Sequence, residues 1–135
     1  MARRQIPLFE EEPEPRVTES QLQQALLLTA PTGLPSWRLF RRNIGSATMR
    51  GGFEVKFGIK GQCDLYGLIR GGQHVEIELK AAGKRIKPGS DQDTWRAWCL
   101  SWNVPHVVLT GLKNETVDET VSRWIEELRA LQRSA

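Results

Sequence analysis

The run "HVEIELK", His74 to Lys80, alternates Val75, Ile77 and Leu79 with Glu76, Glu78 and Lys80. Strict alternation over this length is the pattern of a β-strand with one apolar and one polar face. Residues two apart on a strand point the same way, so Glu78 and Lys80 share a face, with side-chain roots ~7 Å apart. Asp64 lies one hairpin earlier, and if it pairs near Glu78 two carboxylates meet at one point. Carboxylates that close repel each other, and a cation between them relieves the repulsion. Oxygen-only ligands suit Mg²⁺ or Mn²⁺ rather than zinc. Such an ion lowers the pKa of a water and neutralises charge on a phosphoryl oxygen, and a lysine beside it can orient or deprotonate that water. Asp64, Glu78 and Lys80 at this spacing can therefore make a site for metal-dependent phosphodiester hydrolysis. On an exposed strand the same Glu-x-Lys would serve only solubility. The apolar alternate face, the upstream aspartate, the basic loop that follows and a capped helix opening on Gln92 favour the chemical reading.

The elements that must position these residues can be read from periodicity and caps. "TESQLQQALLL" is a helix: Thr18 can cap it with Gln21 as reciprocal partner, and Glu19, Leu22 and Leu26 fall on one face. "APTGLPS" breaks that helix. "WRLFRRN", "FEVKFG", "CDLYGLI" and "HVEIELK" are four strand candidates separated by Gly-containing turns, which suggests an antiparallel meander. "AAGKRIKPGS" is a basic loop, after which Ser90 can cap a helix beginning at Asp91. Trp95, Trp98, Cys99 and Trp102 repeat at helical spacing on it; the three tryptophans could stack bases, but the stripe reads as core. Asn103 is a left-handed cap for its end. "HVVLTG" reads as a short buried strand, and a third helix from about Thr116 to Leu131 turns Val117, Val121, Trp124, Ile125, Leu128 and Leu131 inward. The order is α-β-β-β-β-α-β-α.

The chain of 135 residues suffices for one domain with a real core, and no internal repeat is visible. Its net charge of +3 is unevenly spread: Arg38 to Lys87 holds eleven Lys/Arg against four Asp/Glu, a balance of +7, while each flank carries −2. A basic segment coinciding with the unusual carboxylates is the electrostatic footprint of a polyanion binder. Cys63 and Cys99 match no metal spacing and read as buried thiols in an intracellular, cytoplasmic protein. No apolar run is of membrane-spanning length, and the Pro/Glu-rich residues 1–16 lack a signal-peptide pattern and read as a disordered tail. His74 reads as a strand-end surface residue and His106 as structural. Glu76 faces the same way as Glu78 but lies one pleat too far from Lys80.

Four pieces in order, "RNIG" at Arg42 to Gly45, "GQCD" at Gly61 to Asp64, "ELK" at Glu78 to Lys80 and "QDTW" at Gln92 to Trp95, resemble the VRR-NUC domain. This is the virus-type replication-repair nuclease branch of the PD-(D/E)xK superfamily. The resemblance covers about Thr18 to Leu131 and implies an α/β fold with a restriction-endonuclease-like PD-(D/E)xK core, a central mixed sheet flanked by helices, over residues 17–135. It implies Asp64, Glu78 and the Leu79 backbone carbonyl as ligands of Mg²⁺ or Mn²⁺, joined by Glu19 from the first helix. It makes Lys80 the catalytic lysine and Gln92 a support for it or for the scissile phosphate. Cys63 stands where the superfamily name has proline, a position that varies in this branch. Arg41, Arg42, Asn43, Lys84, Arg85 and Lys87 are candidate nucleic-acid contacts, although Arg42 and Asn43 could instead pin a turn. The function implied is a DNA endonuclease acting on branched replication, repair or recombination intermediates, with a phage-type homodimeric four-way (Holliday) junction resolvase as the leading case. A nickase or flap nuclease of the same fold, or a DNA-binding module without catalysis, is the alternative.

Overall fold

The computed structural model describes residues 16–134; nearly all of the expected disordered tail lies outside them. Over the described residues it is an α/β protein with three helices, a mixed four-stranded sheet and a separate two-stranded ribbon. The elements in chain order are α1 (Glu19–Gly33), β1 (Trp37–Arg41), β2 (Gly45–Thr48), β3 (Glu54–Phe57), β4 (Leu65–Ile69), β5 (Gln73–Lys80), α2 (Asp91–Ser101), β6 (His106–Thr110) and α3 (Val117–Ser134).

The main sheet has the order β1-β4-β5-β6. β1, β4 and β5 are antiparallel neighbours, and β6 joins β5 in parallel after the α2 crossover. The expected four-strand meander is corrected in two respects. β2, which no alternation announces, adds a strand, and "FEVKFG" supplies β3, which pairs with β2 rather than with the sheet. Among the described side chains of these two strands, Ala47 and Val55 are half-buried and the rest are exposed.

α1 opens with the reciprocal Thr18–Gln21 capping box. It runs through Pro31 and ends at Gly33, within the expected breaker "APTGLPS". Proline there falls in the last turn, and the Leu34 N–H closes that turn on the Ala30 carbonyl at 2.7 Å. The core forms where α1 and α3 cover one face of the sheet: Leu22, Leu26, Leu65, Val75, Ile77, Leu79, Leu109, Val121, Trp124 and Leu128 are among its buried members. The inward stripe of α3 is as expected. Val75, Ile77 and Leu79 of β5 point into this core, which turns Glu76, Glu78 and Lys80 to the opposite face, beneath α2.

α2 starts at the Ser90 cap, whose hydroxyl accepts from the Asp93 N–H, and ends at Asn103 with a left-handed φ of 57°. The Val104 N–H returns to the Cys99 carbonyl at 2.8 Å. Its tryptophan stripe is not core, however. Cys99 is buried and Trp95 half-buried, but Trp98 is 44% and Trp102 69% exposed. Helical spacing shows that four residues share a side; it does not show how far the sheet extends beneath that side. Nor is β6 a fully buried strand: it is a sheet edge with only Leu109 completely covered. Cys63 and Cys99 are both free and buried. Among the described residues no helix is long and apolar enough to cross a membrane.

Candidate active site

β5 carries the three polar residues of the site into the interior, where Glu76, Glu78 and Lys80 are all buried. Asp64 stands just before β4, whose pairing sets Leu65 opposite Ile77 and so brings Asp64 beside Glu78. The Asp64 carboxylate accepts a long hydrogen bond of 3.4 Å from the Leu79 N–H. The turn leading to Asp64 depends on Gly61, whose φ is +94° and where a Cβ would lie 2.3 Å from the Asp91 carbonyl oxygen. Only glycine permits both the conformation and the contact. The turn before β4 is thereby pressed against the start of α2, and Asp64 and Gln92 belong to one site.

From the other direction α1 delivers Glu19 in its first turn. One ligand oxygen from each of Glu19, Asp64 and Glu78 lies within 4.8 Å of the other two. The electrostatic cost is visible in their protonation. Burial, then the Asp64 charge, pushes the Glu78 carboxyl up to about 8, with Lys80 opposing. Glu19 is also raised, by burial first and Asp64 next. Lys80 Nζ donates to Gln92 Oε1 at 2.7 Å and lies 3.7 Å from Glu78 Oε1. Gln92 Nε2 donates to that same Glu78 oxygen at 3.0 Å. One amide thus fixes both the lysine and the glutamate.

The donor set fits a hard divalent cation: three carboxylate groups converge, and their mutual repulsion is what an ion would relieve. The nearby sulfur does not compete. Burial, then Glu78, raises the Cys63 thiol above its usual range, so it stays protonated, 3.2 Å from His106 Nε2.

Glu76, read as too distant from Lys80, has a full complement of partners that sequence reading missed. Arg42 grips it bidentately at 2.7 and 2.9 Å, Trp95 Nε1 donates to it at 3.0 Å, and His74 Nε2 lies 2.5 Å from Oε2. Arg42 also donates to the Cys63 carbonyl at 3.1 Å, and its backbone N–H binds the Asp64 carbonyl at 2.9 Å. The Arg42 guanidinium is thus engaged with Glu76 and the Cys63 carbonyl inside the protein. His74 stacks on Tyr66 besides reaching Glu76, so it is more than a surface residue. Arg41, Asn43, Lys84, Arg85 and Lys87 are exposed. The signal for the Arg42–Glu76 pair was an acid on the inward polar face of a central strand, which demands a cation from somewhere in the chain.

No family model, curated protein or solved structure matches this chain.

Proposed function

We propose that the protein is a Mg²⁺- or Mn²⁺-dependent DNA endonuclease with a PD-(D/E)xK-type site of the VRR-NUC kind. The observation that carries this reading is the convergence of Glu19, Asp64 and Glu78 within 4.8 Å, beside a lysine aimed by Gln92. A buried carboxylate cluster costs stability and has no use in a module that only binds DNA.

Glu19, Asp64 and Glu78 would hold the ion, which when bound supplies charge neutralisation at a phosphoryl oxygen and a more acidic water. The chain's own residues do the rest. Gln92 holds Lys80 Nζ to one side of the carboxylates, where the ammonium can orient the attacking water or meet the scissile phosphate. Gln92 also locks the Glu78 carboxylate, so the ligand oxygen does not rotate away. Arg42, Glu76 and Trp95 tie the turn at Asp64, strand β5 and helix α2 into one rigid frame. The exposed Lys84, Arg85 and Lys87 precede α2 and would contact backbone phosphates, which position a duplex without reading its sequence.

Branched DNA is the proposed substrate. Among the described residues each chain has one such site, and symmetric resolution of a four-way junction needs two, which a closed two-fold dimer would supply. Labelled flap, fork, nicked and four-way DNAs incubated with Mg²⁺ or Mn²⁺ test the proposal. The expected result is divalent-dependent cleavage, abolished by chelation, with paired nicks in opposite strands of the junction. No cleavage of any of these DNAs would refute it, whereas a monomer cutting only flaps would refute the dimeric resolvase alone.

A further inference from the structure

Helix α2 leaves the candidate site carrying an aromatic ladder. Trp95 stacks on Trp98 with ring centroids 4.9 Å apart, and Trp98 on Trp102 at 5.6 Å. The inner end is anchored, since Trp95 Nε1 is bonded to Glu76. Trp98 has a ring on each side. Trp102 is the last step: among the described residues its ring stacks only on Trp98, and it is 69% exposed. A large indole held flat by its neighbours and open at its outer side is an unusual thing to leave in water.

We propose that the open side of Trp102 receives an unpaired nucleobase of the DNA strand passing the candidate site, a reading that rests on the nuclease proposal. Three observations select this occupant. Every base presents a π-face that stacks on an aromatic ring without regard to sequence, and the pre-stacked ladder offers the next position. The chain flanking Trp102 carries no acid to repel phosphate: from Thr94 to Asn114 the only Lys, Arg, Asp or Glu residues are Arg96 and Lys113, both cationic. The helix acids Asp91 and Asp93 sit in its first turn, where Lys60 and the Gly89 N–H engage them. Finally, Gln92 of the same rigid helix is bonded to Lys80 and Glu78. Ten residues at ~1.5 Å each put Trp102 about 15 Å from Gln92, or roughly four base steps of DNA at ~3.4 Å. That distance suits the single-stranded arm or opened end of a branched substrate. A second copy of the chain fits less well. With an indole area of ~250 Å², the exposed parts of Trp98 and Trp102 offer roughly a third of the ~800 Å² per partner of a standard interface.

The test compares wild type, Trp102→Ala and Trp102→Phe, each confirmed folded by circular dichroism, in chelator. Fluorescence anisotropy reads their affinity for a labelled oligothymidine strand and for a blunt duplex. The expected result is a loss of about tenfold for Trp102→Ala on oligothymidine, substantial recovery in Trp102→Phe, and duplex affinity unchanged within about twofold. An unchanged oligothymidine affinity, or an equal loss on the duplex, would overturn the proposal. So would light scattering showing that Trp102→Ala dissociates an oligomer while oligothymidine affinity holds, since the face would then bind a second copy. Metal-dependent cleavage by the same proteins separates the two claims. Cleavage without Trp102-dependent strand binding rejects the ladder alone, and Trp102-dependent binding without cleavage rejects the nuclease alone.

Discussion

Glu76 and Glu78 stand two residues apart on one strand, face the same way and are equally buried, yet the protein treats them in opposite fashion. Burial is the largest influence on each and raises both. At Glu76 it is overcome by hydrogen bonds from Arg42, then His74, and by the Arg42 charge and Trp95, so its carboxyl falls below the ordinary value. At Glu78 the principal neighbours are Asp64, which adds to the rise, and Lys80, which only partly offsets it. A glutamate with all its partners inside the protein has a structural task. At the one buried against other carboxylates, despite Gln92 and Lys80 beside it, we propose that an ion from outside the chain binds.

This contrast breaks in predictable ways. The largest effect is on rate. Asp64→Asn, Glu78→Gln and Lys80→Ala should each lower divalent-dependent cleavage about 10³-fold or more, because charge stabilisation worth several kcal/mol is lost. Single-turnover cleavage assays read this, and near-wild-type rates in any of the three would end the assignment.

Glu76→Gln should act on stability instead. Removing the acid leaves the Arg42 guanidinium without its buried counter-charge, at a cost of about 3–5 kcal/mol in urea unfolding. The folded fraction should still be stabilised by Mn²⁺. If Glu76→Gln proves harmless to stability but abolishes metal binding, the two glutamates have been assigned the wrong way round.

The pH dependence of metal-free stability sharpens the comparison. Glu78 titrates near 8 when folded, against an ordinary value of 4.5. Between those values the folded state holds a proton that the unfolded state has released, so stability falls as pH rises. Glu76 has the opposite sign: its contribution is present above the ordinary value and is lost as pH drops through the lowered folded value. Chelated wild type should therefore melt lower at pH 8 than at pH 5.5, with the difference reduced in Glu78→Gln and kept in Asp118→Asn, an exposed control on α3. An undiminished pH slope in Glu78→Gln would show that its carboxyl is not the one under strain.

The smallest effect concerns the basic loop. Neutralising Lys84, Arg85 and Lys87 together should flatten the log–log dependence of DNA affinity on salt, by up to ~0.9 for each phosphate the loop no longer neutralises. An unchanged slope would mean that the loop faces away from DNA.

Much of this organisation was legible in the sequence because it is local or periodic. The Thr18–Gln21 box, the α3 stripe and the Ser90 cap are decided within one or two helical turns. Asp64, Glu78, Lys80 and Gln92 could be grouped because a short hairpin and a capped helix leave little freedom in where they meet. What escaped is long-range or unpatterned. Arg42 and Glu76 are 34 residues apart, and no period links them. "GSAT" has no apolar alternation, so β2 becomes visible only once β3 pairs with it. The tryptophans of α2 share a helical side, but their exposure depends on where the sheet ends, which lies outside the helix's own sequence.

Calorimetric titration of Mn²⁺ into wild type, Glu78→Gln and Glu76→Gln at neutral pH tests the central claim most directly. Saturable binding by wild type and Glu76→Gln, lost in Glu78→Gln, is the predicted result. Equal binding by all three proteins, or no saturable binding by wild type at millimolar Mn²⁺, would contradict a metal site built on Glu19, Asp64 and Glu78.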